Sequence, residues 1–161
     1  METFDEFSRK HDEAKQNAVR LKEETKPEWD MLQHFTAQFA HDEKRFGGYK
    51  FQWMPDYPAR LVLNDVAVQF IVGRERNGVL EGCRVYFDRR PAEPGKMFLE
   101  GRDEIPEPKI WKLEPVVEKG EFLWREPEES FALSSAKLAD KIALELSQRH
   151  IEYEKRFGRA S

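Results

Sequence analysis

Hydrophobic and polar residues alternate along this chain with two different periods, and the switch between them divides it into three parts. Phe4, Phe7, His11, Ala14, Ala18 and Leu21 are separated by alternating steps of three and four, which places them on one face of a helix. Pro27 interrupts the pattern, because a proline inside a helix removes a hydrogen bond and crowds the carbonyl four residues back. A break or kink near Glu23 to Thr25 is therefore predicted. Thr25 with Glu28 three residues later has the form of a capping box, so a second helical segment is expected to begin there. Its apolar face, Trp29, Leu32, Phe35, Phe39 and Phe46, keeps the register of the first, and Gly47-Gly48 is expected to end it. Continuity of register across the proline fits a helical hairpin or one long kinked helix, and the kinked helix is preferred.

From Tyr49 the period falls to two. Asn77-Gly78 lies between two alternating apolar runs, the pattern of a type I′ hairpin turn, in which both central residues take positive φ. That turn sets Val72 opposite Cys83, Phe70 opposite Val85 and Val68 opposite Phe87 on one side, with Arg74 opposite Glu81 further along and Gly73 opposite Gly82 on the other side. Asn64-Asp65 offers a second tight turn, which sets Leu63 opposite Val66 and Leu61 opposite Val68. Both turns then direct Leu61, Leu63, Val66, Val68, Phe70, Val72, Cys83, Val85 and Phe87 to one face of a three-stranded meander. A slip of one residue in either turn would scatter them over both faces.

Flanking strands are expected around Tyr49 to Trp53, Lys96 to Glu100, Trp111 to Leu113 and Glu121 to Arg125, with Lys119-Gly120 as a weaker turn and Pro115 marking an edge strand or bulge. Ser134 or Ser135 can cap a final helix whose apolar stripe is Leu138, Ala139, Ile142, Leu146, Tyr153 and Phe157, and Gly158 can stop it. The fold class that follows is α+β: an antiparallel β-meander of about five to seven strands, covered by an N-terminal kinked helix or helical pair and a long C-terminal helix. Residues 1–161 are read as a single domain, helical over 1–46, an antiparallel sheet over 49–126 and the C-terminal helix over 135–157. In the order of its elements the chain is similar to helix-grip ligand-binding folds, although the residues before its first helix are too few for the strand with which those folds begin.

Composition narrows the range of functions more than it selects one. The 161 residues carry 27 Lys and Arg against 31 Asp and Glu, for a formal net charge of −4. The middle segment, 44–112, is mildly basic, but its arginines are interleaved with acidic residues. Nucleic acid is not the expected partner, since displacing counterions needs a net basic face. No apolar run approaches the roughly 20 residues that span a bilayer, so no membrane segment is expected. The opening Met-Glu-Thr-Phe-Asp-Glu-Phe does not read as a secretory leader, and the single cysteine, Cys83, favours a reducing compartment, so a cytoplasmic location is expected.

Chemistry-bearing residues are sparse. Cys83 falls on the apolar side of the hairpin, where a thiol is a small core side chain rather than a nucleophile. His11, His34, His41 and His150 show no metal-ligand spacing; Asp30 and His34 are spaced to interact, the reading here being a surface pair rather than a catalytic one. Asp103, Glu104 and Glu107 read as a solvated acidic loop. Neither Gly-x-Gly-x-x-Gly nor a Walker sequence occurs. No cofactor and no metal are expected.

Two functional expectations remain. The first is a non-catalytic binding or protein-interaction module, acting through its amphipathic helices on a partner or on a second copy to form a homodimer. The second is a carrier or enzyme for a small apolar ligand, held between the sheet and the C-terminal helix. Its candidate contacts are Arg60, Arg84, Tyr86, Trp111 and Trp124, with an arginine orienting a polar end.

Overall fold

In a computed structural model of the chain, residues 3–42, 48–89 and 107–157 are described here. Phe46, Gly47, the expected strand Lys96 to Glu100, Asp103, Glu104 and Gly158 lie outside them, as does the side chain of Phe157. The N-terminal helix α1 runs unbroken over Phe4–Ala37 and continues as a 3₁₀ turn at Gln38–Ala40. Its true capping box is Thr3 with Glu6: the Glu6 N–H donates to Thr3 Oγ1 at 3.1 Å, and the Thr3 N–H donates to the Glu6 carboxylate at 3.4 Å.

Of the break or kink expected at Glu23 to Thr25, no break occurs, and the preferred single helix holds in place of the hairpin. Glu23 and Pro27 both lie on the exposed side of α1, so the carbonyl that loses its partner sits in water. On the other side Thr25, Trp29, Leu32 and Thr36 are buried and hold the helix together through the proline. Thr25 is therefore no cap. Its hydroxyl donates back to the Leu21 carbonyl, as that of Thr36 does to Leu32 at 2.7 Å, which satisfies both groups inside the core.

Ten antiparallel strands follow among the described residues. Five of them form the main sheet in the order β1-β2-β3-β6-β7: β1 (Gln52–Met54), β2 (Arg60–Leu63), β3 (Val66–Ile71), β6 (Arg84–Arg89) and β7 (Lys109–Lys112). A hairpin, β4 (Arg74–Arg76) with β5 (Val79–Glu81), joins β3 to β6. The second sheet is β10-β9-β8, from β8 (Glu114–Glu118), β9 (Glu121–Glu126) and β10 (Phe131–Leu133). Helix α2 (Ser135–Phe157) closes the fold, with Ser134 as its cap: the Lys137 N–H points to Ser134 Oγ at 3.4 Å and the Leu138 N–H to its carbonyl at 2.8 Å.

The two tight turns set the register as expected. Asn64 and Asn77 both take positive φ, at 52° and 53°. Leu63 faces Val66, Leu61 faces Val68, Val68 faces Phe87, Phe70 faces Val85, and Arg74 faces Glu81. Leu61, Leu63, Val66, Val68, Phe70, Cys83, Val85 and Phe87 are all buried in the core, and Val72 packs against it. Leu138, Ile142 and Leu146 of α2 and Trp29 and Leu32 of α1 cover that face. Pro115 lies on β8, an edge strand, as its missing N–H requires.

Candidate functional site at the strand fork

The register that builds the core also creates a cleft where two paired strands part. β6 and β7 pair from Phe87–Lys109 to Arg84–Lys112, and the Leu113 N–H donates to the Cys83 carbonyl at 2.9 Å as the last rung. Beyond it the chains diverge: upstream of β6 the backbone belongs to β5 and pairs with β4, whereas downstream of β7 it enters β8 and pairs with β9. Gly82 supplies the turn-off, with φ +72°. The Gly73 N–H reaches both the Glu81 and Gly82 carbonyls, at 2.9 and 3.2 Å, and a Cβ at Gly73 would lie 3.0 Å from the Glu81 oxygen. Two glycines facing each other are what this crossing needs.

Helix α1 seals the inner side of the fork. Lys26 Nζ meets Glu75 Oε1 at 3.6 Å on the β4–β5 hairpin, and Arg20 Nη1 donates to the Gly120 carbonyl at the β8–β9 turn. Trp29 packs edge-on against Phe70 and Trp124, with centroids 5.8 and 5.7 Å apart. The outer side opens as a cleft of about 700 Å³. Leu80, Cys83 and Leu113 are its buried lining, and Arg84 and Lys112 stand on it as directly opposed cross-strand neighbours.

Charge in the cleft is unevenly satisfied. Of its carboxylates, Glu81 pairs with Arg74, and Glu114 lies 3.1 Å from Arg125. Glu126 is buried and accepts the N–H groups of Glu128 and Glu129 at 3.3 and 2.7 Å, which holds the β9–β10 turn. Only the exposed Glu128 carboxylate has no such partner among the described residues. Arg84 makes one hydrogen bond, from Nη1 to the Gly82 carbonyl at 3.2 Å, and Lys112 makes no ion pair among the described residues. Like charges directly across a strand pair repel, a cost that an anion lying between them removes.

The five residues singled out from the sequence are placed on two faces. Arg60, Arg84 and Tyr86 are half-buried on the face turned away from the helices, where Arg60, Gln69, Tyr86 and Ile110 form one cross-strand row. Arg60 Nε is buried without a hydrogen bond, and Tyr86 is raised above the usual phenol range by burial and by its bond to Asp88. Trp111 and Trp124 lie in the core. Trp111 packs on Phe87 at 4.7 Å and Phe131 at 5.4 Å beneath Lys109 and Lys141, and its N–H makes no hydrogen bond of standard geometry, although Glu129 feels it. Trp124 Nε1 donates to Ser135 Oγ at 2.9 Å. Of the five, only Arg84 lines the cleft.

Lys112, its counterpart, is not among the residues singled out from the sequence, because an exposed lysine in an alternating strand looks like any solvated position. The available signals were the Gly73–Gly82 pair and Pro115, which together mark where the strands cannot stay paired. Cys83, on the cleft lining, is held protonated: burial pushes its thiol up from 9.0 to about 12. Asp30 and His34 are both exposed and share no hydrogen bond. Among the described residues no group of three metal-ligating side chains converges, and no helix is long and apolar enough to cross a membrane. No protein-family model, curated protein or solved structure matches the chain.

Proposed function

We propose that the protein is a non-catalytic binding module, and that the fork holds a small apolar molecule by a negatively charged end. The observation that carries this reading is the side-by-side placement of Arg84 and Lys112 at the mouth of an apolar cleft. A volume of about 700 Å³ suits a small ligand. The apolar body would rest on Leu80 and Leu113, and a carboxylate would bridge the guanidinium and the ammonium in charge-assisted hydrogen bonds. A thiol kept protonated offers no nucleophile to such a guest, which supports holding rather than turnover.

Isothermal titration calorimetry with decanoate, and with decanol as its uncharged counterpart, tests the reading. The acid is expected to bind more tightly than the alcohol, and Lys112→Ala with Arg84→Gln to erase that preference while leaving the fold intact. Equal affinity for the two, or an unchanged preference in the double variant, would refute it.

A further inference from the structure

The apolar stripes of the two helices are used very differently. That of α2 lies in the core, at Leu138, Ala139, Ile142, Leu146 and Tyr153. On α1 only the stretch from Leu21 onward packs on the sheets, and residues 3–19 stand almost wholly in solvent. Phe4 is 81% exposed and Phe7 60% exposed, and His11, Ala14 and Ala18 continue their stripe in the open. This arm is helical, capped at Thr3 and amphipathic, and among the described residues nothing of its own chain covers the stripe.

We infer that the arm pairs with the arm of a second copy as an antiparallel helical dimer, centred between His11 and Ala14. The stripe has heptad spacing, its residues alternating between the first and fourth heptad positions, and in an antiparallel pair each first position meets a fourth position of the partner helix. With the centre there, Phe7 packs on the partner's Ala18 and His11 on the partner's Ala14, while Phe4 closes the contact beside the exposed edge of the partner's half-buried Leu21. Each layer thereby sets a larger side chain against a smaller or flexible one, the arrangement that lets layers interdigitate. The pairing repeats itself under two-fold rotation, so both copies satisfy it at once.

Neighbouring registers fail on the same grounds. One heptad shorter, Phe7 meets the partner's His11 and Lys10 meets the partner's Lys10, two bulky layers flanked by a like-charge contact. One heptad longer, Phe7 must pack on the partner's Thr25, which is fully buried in its own core. In the favoured register Lys10 lies beside the partner's Asn17. The overlap runs about five helical turns. Two alanines per strand keep the contact small, so the dimer is expected to dissociate in the micromolar range.

Sedimentation equilibrium of the full chain reads the assembly, and disulfide trapping reads its register. The wild type is expected to pass from monomer to dimer across micromolar concentrations. Phe7→Asp should remain a monomer with unchanged circular dichroism and thermal midpoint, because Phe7 contributes nothing to the core. A mixture of His11→Cys and Ala14→Cys chains should cross-link to each other more readily than either does alone, buried Cys83 staying out of the reaction. A monomer at every concentration, a dimer that survives Phe7→Asp, or His11→Cys chains that cross-link chiefly among themselves would overturn the proposal. The arm and the cleft share no residue, so pairing through one and binding at the other are tested separately.

Discussion

Trp124 and Ser135 tie three elements together: the indole N–H of β9 donates at 2.9 Å to the hydroxyl at the start of α2, which in turn lies 2.6 Å from the Glu28 carboxylate of α1. The sequence assigns Glu28 to a capping box with Thr25, but the unbroken helix leaves its carboxylate free to reach α2 instead. Ser135→Ala should leave a fully buried indole N–H without a partner, at a cost of about 1 to 3 kcal/mol. Denaturant unfolding measures it. Trp124→Phe should cost less in that background than in the wild type, since the two share one interaction; full additivity would show that the bond contributes nothing.

Gly82 and Gly78 both take positive φ, at +72° and +82°, but their surroundings differ. A Cβ at Gly78 meets nothing, whereas one at Gly82 would sit 3.2 Å from Gly73 Cα and 3.3 Å from Gly73 N. Gly78→Ala is expected to cost about 1 kcal/mol, the penalty of a left-handed alanine. Gly82→Ala should cost more, because it also forces the crossing strands apart. Thermal unfolding of the pair checks the order, and equal losses would mean that the fork is not tightly closed.

Lys119 carries φ 51° in the turn between β8 and β9, a conformation that asparagine tolerates better than lysine. Lys119→Asn restores the Asn-Gly sequence of a type I′ turn and is expected to stabilise the protein by a few tenths of a kcal/mol to about 1 kcal/mol. A lower midpoint of unfolding in the variant would show that the lysine side chain has a role this turn geometry does not explain.

Burial holds the Cys83 thiol protonated up to about 12, against 9.0 when free. In the unfolded chain the proton leaves near 9.0, so between the two values the unfolded state binds fewer protons. Stability from this group is thus complete below 9.0 and falls as pH rises toward 12. A thiol reagent should label the native protein at mildly alkaline pH only as fast as it unfolds, and Cys83→Ala should flatten the alkaline loss. Rapid stoichiometric labelling of folded protein would place the thiol at the surface.

What could be read in advance divides along physical lines. The meander was legible because Asn64 and Asn77 each fix a register, and a register decides the face of every residue on its strands. The start of α2 was legible from the Ser134-Ser135 pair, and its buried side from the apolar stripe. A single helix through Pro27 was the preferred of two readings and holds, but the cap placed at Thr25 was wrong, because the cost of a proline depends on which side of the helix the orphaned carbonyl faces, and only packing decides that. The cleft was harder still: its members come from β5, β6, β7, β8 and the turn after β9, and what joins them is a parting of strands at Gly82. Trp111 and Trp124 were candidate ligand contacts, yet bulky rings on strands serve the core first, and both are buried there.

The fork is tested most directly by amide and side-chain nuclear magnetic resonance of the labelled full chain during titration with decanoate. Shifts should gather at Leu80, Gly82, Arg84, Lys112 and Leu113 and spare the row of Arg60 and Tyr86. Perturbations centred on that row, or on the space between the sheet and α2, would contradict the placement of the site.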